Sequence, residues 1–115
     1  MSGDCLFCKI LAGDIPSQKV FENEKVFAFK DISPLAKEHY LFIHKEHTIN
    51  VNDIADNSPE QFSEIFGAIS EFSKGAKLIE NGFRVVTNHG ADAGQTVFHT
   101  HFHVLGGEQL RGFGA

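Results

Sequence analysis

Gln95-Thr96-Val97-Phe98-His99-Thr100-His101-Phe102-His103-Val104-Leu105-Gly106-Gly107 places three histidines at every second position and ends in a glycine pair. The residues between and beside them (Val97, Phe98, Thr100, Phe102, Val104) are β-branched or aromatic and favour extended backbone. Successive side chains of a strand point to opposite faces, so His99, His101 and His103 share one face. Imidazole is neutral near physiological pH yet easily protonated. A row of three can therefore supply a nucleophile, donors to an anionic oxygen, or metal ligands. A polar strand face is the plainer reading of the same pattern.

Working outward, residues 5–11 read as a short helix closed by Gly13 and Pro16. A hairpin follows from residues 19–21 to 26–29 through Glu22-Asn23-Glu24-Lys25, and Asp31-Ile32-Ser33-Pro34 breaks the second strand. Residues 39–43 form a third strand, and residues 44–57 read as a polar loop. Ser58-Pro59-Glu60-Gln61 is a helix start, with Ser58 as cap, Pro59 in the first turn and Gln61 completing a capping box. Phe62, Ile65, Phe66, Ile69, Phe72, Ala76 and Ile79 then recur at helical spacing, a core-facing stripe that Gly82 stops. Residues 83–87 and the histidine strand complete the set. The pattern predicts an α+β domain: a five-stranded antiparallel sheet with one long and one short helix.

The 115 residues, 42% hydrophobic with twelve Phe, suffice for one core and leave no room for a second, so residues 1–115 are read as a single domain. The net charge of −5 and the lack of any Lys/Arg run argue against DNA, RNA or an anionic membrane as partner. Any bound phosphate must be held locally by histidines, backbone N–H groups and polar side chains. No basic segment followed by a long apolar run opens the chain, and no window reaches a membrane-spanning length, so a cytoplasmic location is expected. The two cysteines, Cys5-x-x-Cys8, are too few for a disulfide scaffold and leave zinc, redox chemistry and ordinary thiols open.

The chain resembles the histidine triad (HIT) family, and within it the Hint branch of purine nucleoside phosphoramidases. The resemblance rests on Phe7-x-Lys9-Ile10 with Ile15-Pro16, Phe29-x-Asp31-Ile32-Ser33-Pro34, Lys45-x-His47, Asn88, and Gly94-Gln95-Thr96-Val97-Phe98-His99-x-His101-x-His103-Val104-Leu105-Gly106-Gly107. It implies a HIT-like fold, a homodimer whose sheets join across the subunits, and a hydrolase that splits the P–N bond of purine nucleoside phosphoramidates, and of related nucleotidyl or acyl adenylates, to a nucleoside monophosphate such as AMP or GMP.

By this resemblance His101 is the nucleophile, His103 donates to a phosphate oxygen, and Thr96, at a position usually Ser, hydrogen-bonds the phosphate or the departing group. Asn88, Gly94, Gln95 and Val97 surround the phosphate, and His39 lies behind the triad. Asp31 would accept both ribose hydroxyls, since a carboxylate can take two hydrogen bonds at once, and also forms the turn before Ser33-Pro34. Phe7, Ile10, Phe29, Ile32 and Leu41 match an apolar slot for the base. Relatives with the cysteine pair imply a zinc site of Cys5, Cys8, His47 and His99, closed and therefore structural, with no cofactor needed for the chemistry.

His44 stands where the family usually has Pro, a change expected to loosen that loop. The chain ends without the family's Trp-containing segment, and Phe113 is its expected substitute. Two rivals share these elements. One is a dinucleoside polyphosphate hydrolase, which would carry a Pro-Arg segment where Leu105-Gly106-Gly107 stands here. The other is a noncatalytic nucleotide-sensing scaffold.

Overall fold

The sequence alternation becomes a two-faced sheet in the computed structural model, which describes residues 5–112. Phe113 and residues 1–4 lie outside the described residues. The elements are α1 (Leu6–Leu11), β1 (Lys19–Glu22), β2 (Val26–Lys30), β3 (Glu38–His44), α2 (Val51–Asn57), α3 (Glu60–Gly75), β4 (Phe83–Val86) and β5 (His101–Gly106). The five strands form one sheet in the order β1-β2-β3-β5-β4, with every neighbouring pair antiparallel. The Asn23 side chain closes the first hairpin by accepting the N–H groups of Lys25 and Val26 at 2.9 and 2.8 Å.

Because α2 and α3 cover one face and α1 the other, the central strands are apolar on both sides. Val26, Ala28, Tyr40, Phe42, Phe102 and Val104 pack against Ile54, Ile65, Ala68 and Ile69 of the two helices. The alternate residues Phe29, Leu41 and Ile43 pack against Cys5 and Phe7. Each such fully buried aliphatic or aromatic side chain contributes about 1.5–3 kcal/mol. At the end of β5, Gly107 has φ +83°, and a Cβ there would collide with the Glu38 side chain, so the glycine closes the strand against β3.

Four details differ from the sequence reading. Residues 44–57 are not all loop, since α2 forms there. Its Asn50 cap accepts the Asp53 N–H, the Asp53 carboxylate accepts the Ile49 N–H, and Ile54 is the helix's one buried residue. The capping box before α3 does not form: Ser58 and Pro59 begin the turn through their carbonyls, while Gln61 is turned inward and fully buried. The long helix ends at Gly75 instead of Gly82. Lys77 adopts φ 62°, a 3-10 turn covers Leu78–Glu80, and Phe66 and Ile79 of the expected core stripe are exposed. Finally, β5 starts at His101, so His99 precedes the ladder. Among the described residues no helix is long and apolar enough to cross a membrane.

Candidate active site

His101 and His103 lie on the α1 face of β5, with ring centroids 5.1 Å apart. Phe7 of α1 packs edge-on against His101, with centroids 5.0 Å apart. The His101 Nδ1–H donates to the His99 carbonyl at 2.8 Å, so its lone pair is on Nε2. Thr87, next to Asn88, steadies the same backbone by donating its hydroxyl to the His101 carbonyl at 2.8 Å.

The ring of His103 is set from behind. Leu35 donates its N–H to His39 Nδ1 at 3.0 Å, which leaves the His39 proton on Nε2. That Nε2–H faces His103 Nδ1 at 2.9 Å and Asp31 Oδ2 at 3.4 Å. His103 Nδ1 is thereby an acceptor, and its own proton sits on Nε2. Burial holds His101 and His39 below the ordinary histidine range, and it pushes His103, helped by its histidine neighbours, down to about 4. At neutral pH the row is uncharged, with one outward lone pair and one outward donor.

Around this row the chain places its other candidates unevenly. Phe7, Phe29 and Leu41 are buried in one apolar layer with Ile10 and Val97 at its margin, whereas Ile32 is 97% exposed. Asp31 forms the expected turn, its Oδ1 accepting the Ser33 N–H at 2.8 Å. Asn88 is half-buried and Thr96 exposed; Gly94 supplies a left-handed turn at φ +87°. The Gln95 side chain is committed to backbone groups. It is buried, its Oε1 accepting the Gly90 N–H and its Nε2 donating to the carbonyls of Ile49 and Val97, so it shapes the loop that carries Thr96.

A second cluster lies beside the first. Cys5 Sγ, Cys8 Sγ, His47 Nδ1 and His99 Nδ1 all lie within 4.8 Å of one another. His99 Nδ1 is 3.4 Å from each sulfur and 3.2 Å from His47 Nδ1, and Cys8 Sγ is 3.3 Å from His47 Nδ1. His99 donates its Nε2–H to the His44 carbonyl at 2.9 Å, leaving the Nδ1 lone pair aimed at the thiols. A tetrahedral site with metal–ligand bonds of about 2.0–2.3 Å has edges of about 3.3–3.8 Å, close to these separations. Burial pushes Cys8 up to about 11 and His99 down to about 4. The other compact donor set, Asp31, His39 and His103, does not fit a cation, because Leu35 forces the proton onto the His39 nitrogen that would have to coordinate.

Sequence reasoning missed a polar seam behind the triad. Thr48 Oγ1 lies 2.9 Å from Thr100 Oγ1 and donates to Gln61 Oε1 at 3.2 Å, while Gln61 Nε2 donates to the Glu46 carbonyl at 3.2 Å. Its one sequence signal is that Gln61 falls on the stripe of Ile65 and Ala68, a polar residue on a helix's apolar face. His44 also departs from expectation: it is buried and hydrogen-bonded at both ring nitrogens, which ties the loop down.

The HIT domain family profile matches residues 12–110. The chain belongs to the HIT domain family. It is similar to a solved histidine triad protein from Clostridium difficile, at 42% identity and a TM-score of 0.91, with 96% of each chain covered. A HIT family hydrolase from Legionella pneumophila Philadelphia 1 superposes with a TM-score of 0.88 at 41% identity, covering 94% of this chain and 96% of that one. An adenosine 5'-monophosphoramidase from Candida albicans is 39% identical over 107 residues, 88% of this chain and 68% of the relative. This HIT domain therefore shares its fold with these solved relatives.

Proposed function

We propose that this HIT domain is a hydrolase of purine nucleoside phosphoramidates, working through a covalent nucleotidyl-His101. The observation that carries the reading is the bond from His101 Nδ1–H to the His99 carbonyl, which leaves Nε2 of this half-buried ring as a neutral nucleophile. Its lone pair attacks the α-phosphorus and the P–N bond breaks. The bonding pair goes to the amine nitrogen, which takes up one proton from solvent water, and the Thr96 hydroxyl hydrogen-bonds the departing group. Water then attacks the same phosphorus, the bond to Nε2 breaks, and the proton given up by water replaces the one consumed before. His103 Nε2–H, fixed by the Leu35–His39 relay, donates to a phosphate oxygen as charge builds on it. Asp31 accepts the ribose hydroxyls, and the apolar layer of Phe7, Phe29 and Leu41 flanks the base with little edge reading.

Zinc is the group that the Cys5, Cys8, His47 and His99 donors fit. Four protein ligands close its coordination sphere, so it would tie α1 to the sheet and supply no reactive water. A homodimer is supported by β4, an edge strand whose four residues are all half-buried in the single chain.

The deciding experiment compares turnover of an adenosine phosphoramidate, a dinucleoside tetraphosphate and a nucleotidyl-lysine, with an acid quench and mass spectrometry to locate the adduct. Preference for the P–N substrates with the nucleotide on His101 is the expected result. Faster polyphosphate cleavage, or an adduct elsewhere, overturns it.

A further inference from the structure

Three of the large apolar side chains that the fold leaves exposed, Leu6, Ile49 and Phe98, line a single cavity of about 300 Å³. They come from separate parts of the chain: Leu6 from the first turn of α1, Ile49 from the segment before α2, and Phe98 from the loop that leads into the histidine row. Thr96 and Val97 continue the wall, and Cys5 and His47 close it with their ligating atoms committed to the second cluster. The buried Gln95 amide braces it from behind, donating to the carbonyls of Ile49 and Val97 at 2.8 and 3.2 Å and so tying two walls together. Among the described residues, no carboxylate, lysine or arginine lines the cavity. Two of its residues join it to the catalytic site. Val97 packs at the margin of the apolar layer of Phe7, Phe29 and Leu41, and Thr96 carries the hydroxyl that meets the departing group.

We propose that this cavity is the leaving-group subsite, and that it selects phosphoramidates whose amine carries a compact apolar substituent, aromatic or branched aliphatic, over those with a cationic one. The proposal rests on the reading of the protein as a phosphoramidase. In an in-line displacement the leaving nitrogen lies opposite the attacking one, so the amine points away from His101. The Thr96 hydroxyl that hydrogen-bonds this nitrogen belongs to the cavity wall, and the substituent on the nitrogen therefore enters beside Leu6, Ile49 and Phe98. At about 300 Å³ the cavity is at the small end of ligand pockets, with room for one ring or one branched chain. An apolar substituent leaves water there for three apolar side chains, which is favourable. An ammonium would lose hydration and meet no counter-charge. Contacts of this remote part of the substrate are retained as the P–N bond breaks, so they raise kcat/KM. The subsite also accounts for the gathering of exposed apolar side chains at one place beside the catalytic row.

The test uses the full-length protein and adenosine phosphoramidates of four amines of similar basicity: methylamine, isoamylamine, phenethylamine and cadaverine. The isoamyl and phenethyl amides should have kcat/KM about tenfold or more above the methyl amide, and the cationic cadaverine amide should do no better than the methyl amide. Phe98→Ala should shrink that advantage to about threefold or less, with the methyl amide and the Kd for AMP measured by calorimetry unchanged. Leu6→Glu places a carboxylate in the first turn of α1, where a helix favours one, and should lift the cadaverine amide above the methyl amide. Retained AMP binding identifies the variants that have folded, and the wild-type series decides the matter even where neither has. Equal kcat/KM for all four amides in wild type, or a Phe98→Ala variant that lowers all four alike, overturns the proposal. No turnover of any amide by the wild type would defeat the functional reading and the subsite with it, whereas turnover of all four at equal efficiency defeats the subsite alone.

Discussion

His39 Nε2 lies 2.9 Å from His103 Nδ1, and the Leu35 N–H on the far side of the His39 ring fixes which of the two nitrogens holds the proton. One backbone donor in a loop thus dictates that His103 presents an N–H, and not a lone pair, to the site. His39→Asn keeps an acceptor for Leu35 but removes the donor to His103. Its kcat for an adenosine phosphoramidate is expected to fall about 10- to 100-fold, while the Kd for AMP measured by calorimetry changes little. Equal losses in kcat and AMP affinity would show that His39 is a packing residue only.

His101→Gly should abolish turnover and the covalent adduct while AMP still binds, because the apolar layer and Asp31 are left in place. Single-turnover mixing followed by acid quench is the measurement. Residual activity within about tenfold of wild type would return the nucleophile's role to water or to His103.

The strands were legible as β-branched and aromatic runs, but the covering of both sheet faces was not, because β3 is buried along nearly its whole length, Leu41 and Ile43 on one side and Tyr40 and Phe42 on the other, with no polar alternation to mark a face. The common face of His101 and His103 followed from the period of a strand. Helix α2 was hidden because six of its seven residues avoid burial, so it has caps but no apolar stripe. The seam of Gln61, Thr48 and Thr100 was hidden because pairing across the chain, and not local pattern, decides whether a polar side chain is buried. Gln95 shows the same limit: its position in the motif is readable, yet the direction of its amide depends on Gly90 and Val97 of its own loop and on the Ile49 carbonyl of the segment before α2.

Acid should destabilise the fold through His103. Its folded value of about 4 lies below the unfolded one near 6.5, so below pH 6.5 the unfolded chain takes up a proton that the folded chain refuses. Stability from this group is present above pH 6.5 and is lost as pH falls toward about 4, amounting to about 2 kcal/mol between pH 7 and pH 5. Urea denaturation of wild type and His103→Asn at the two pH values isolates it. A loss of the same size in both proteins would assign the effect to other groups.

Light scattering at micromolar concentration should give about twice the 12.7 kDa chain mass. The free edge of β4 carries Phe83, Val85 and Val86 half-exposed, and pairing with a second copy would cover both these side chains and the unpaired backbone groups. A monomer mass at that concentration counts against the dimer.

Purified protein should carry up to one zinc per chain, and Cys5→Ser/Cys8→Ser should lose it. Zinc bound only by the folded arrangement stabilises that arrangement, so the variant should melt at lower temperature. Its turnover should nevertheless stay close to wild type, because His101 is not a ligand and the His99 ring remains hydrogen-bonded to the His44 carbonyl when the thiolates are gone. Elemental analysis, thermal denaturation and the phosphoramidate assay on one preparation make the comparison. Metal-free wild type would reduce the cysteines to ordinary buried thiols. A variant that keeps its melting temperature but loses turnover would mean that the metal, acting through His99, orients the nucleophile more strongly than the backbone carbonyl does.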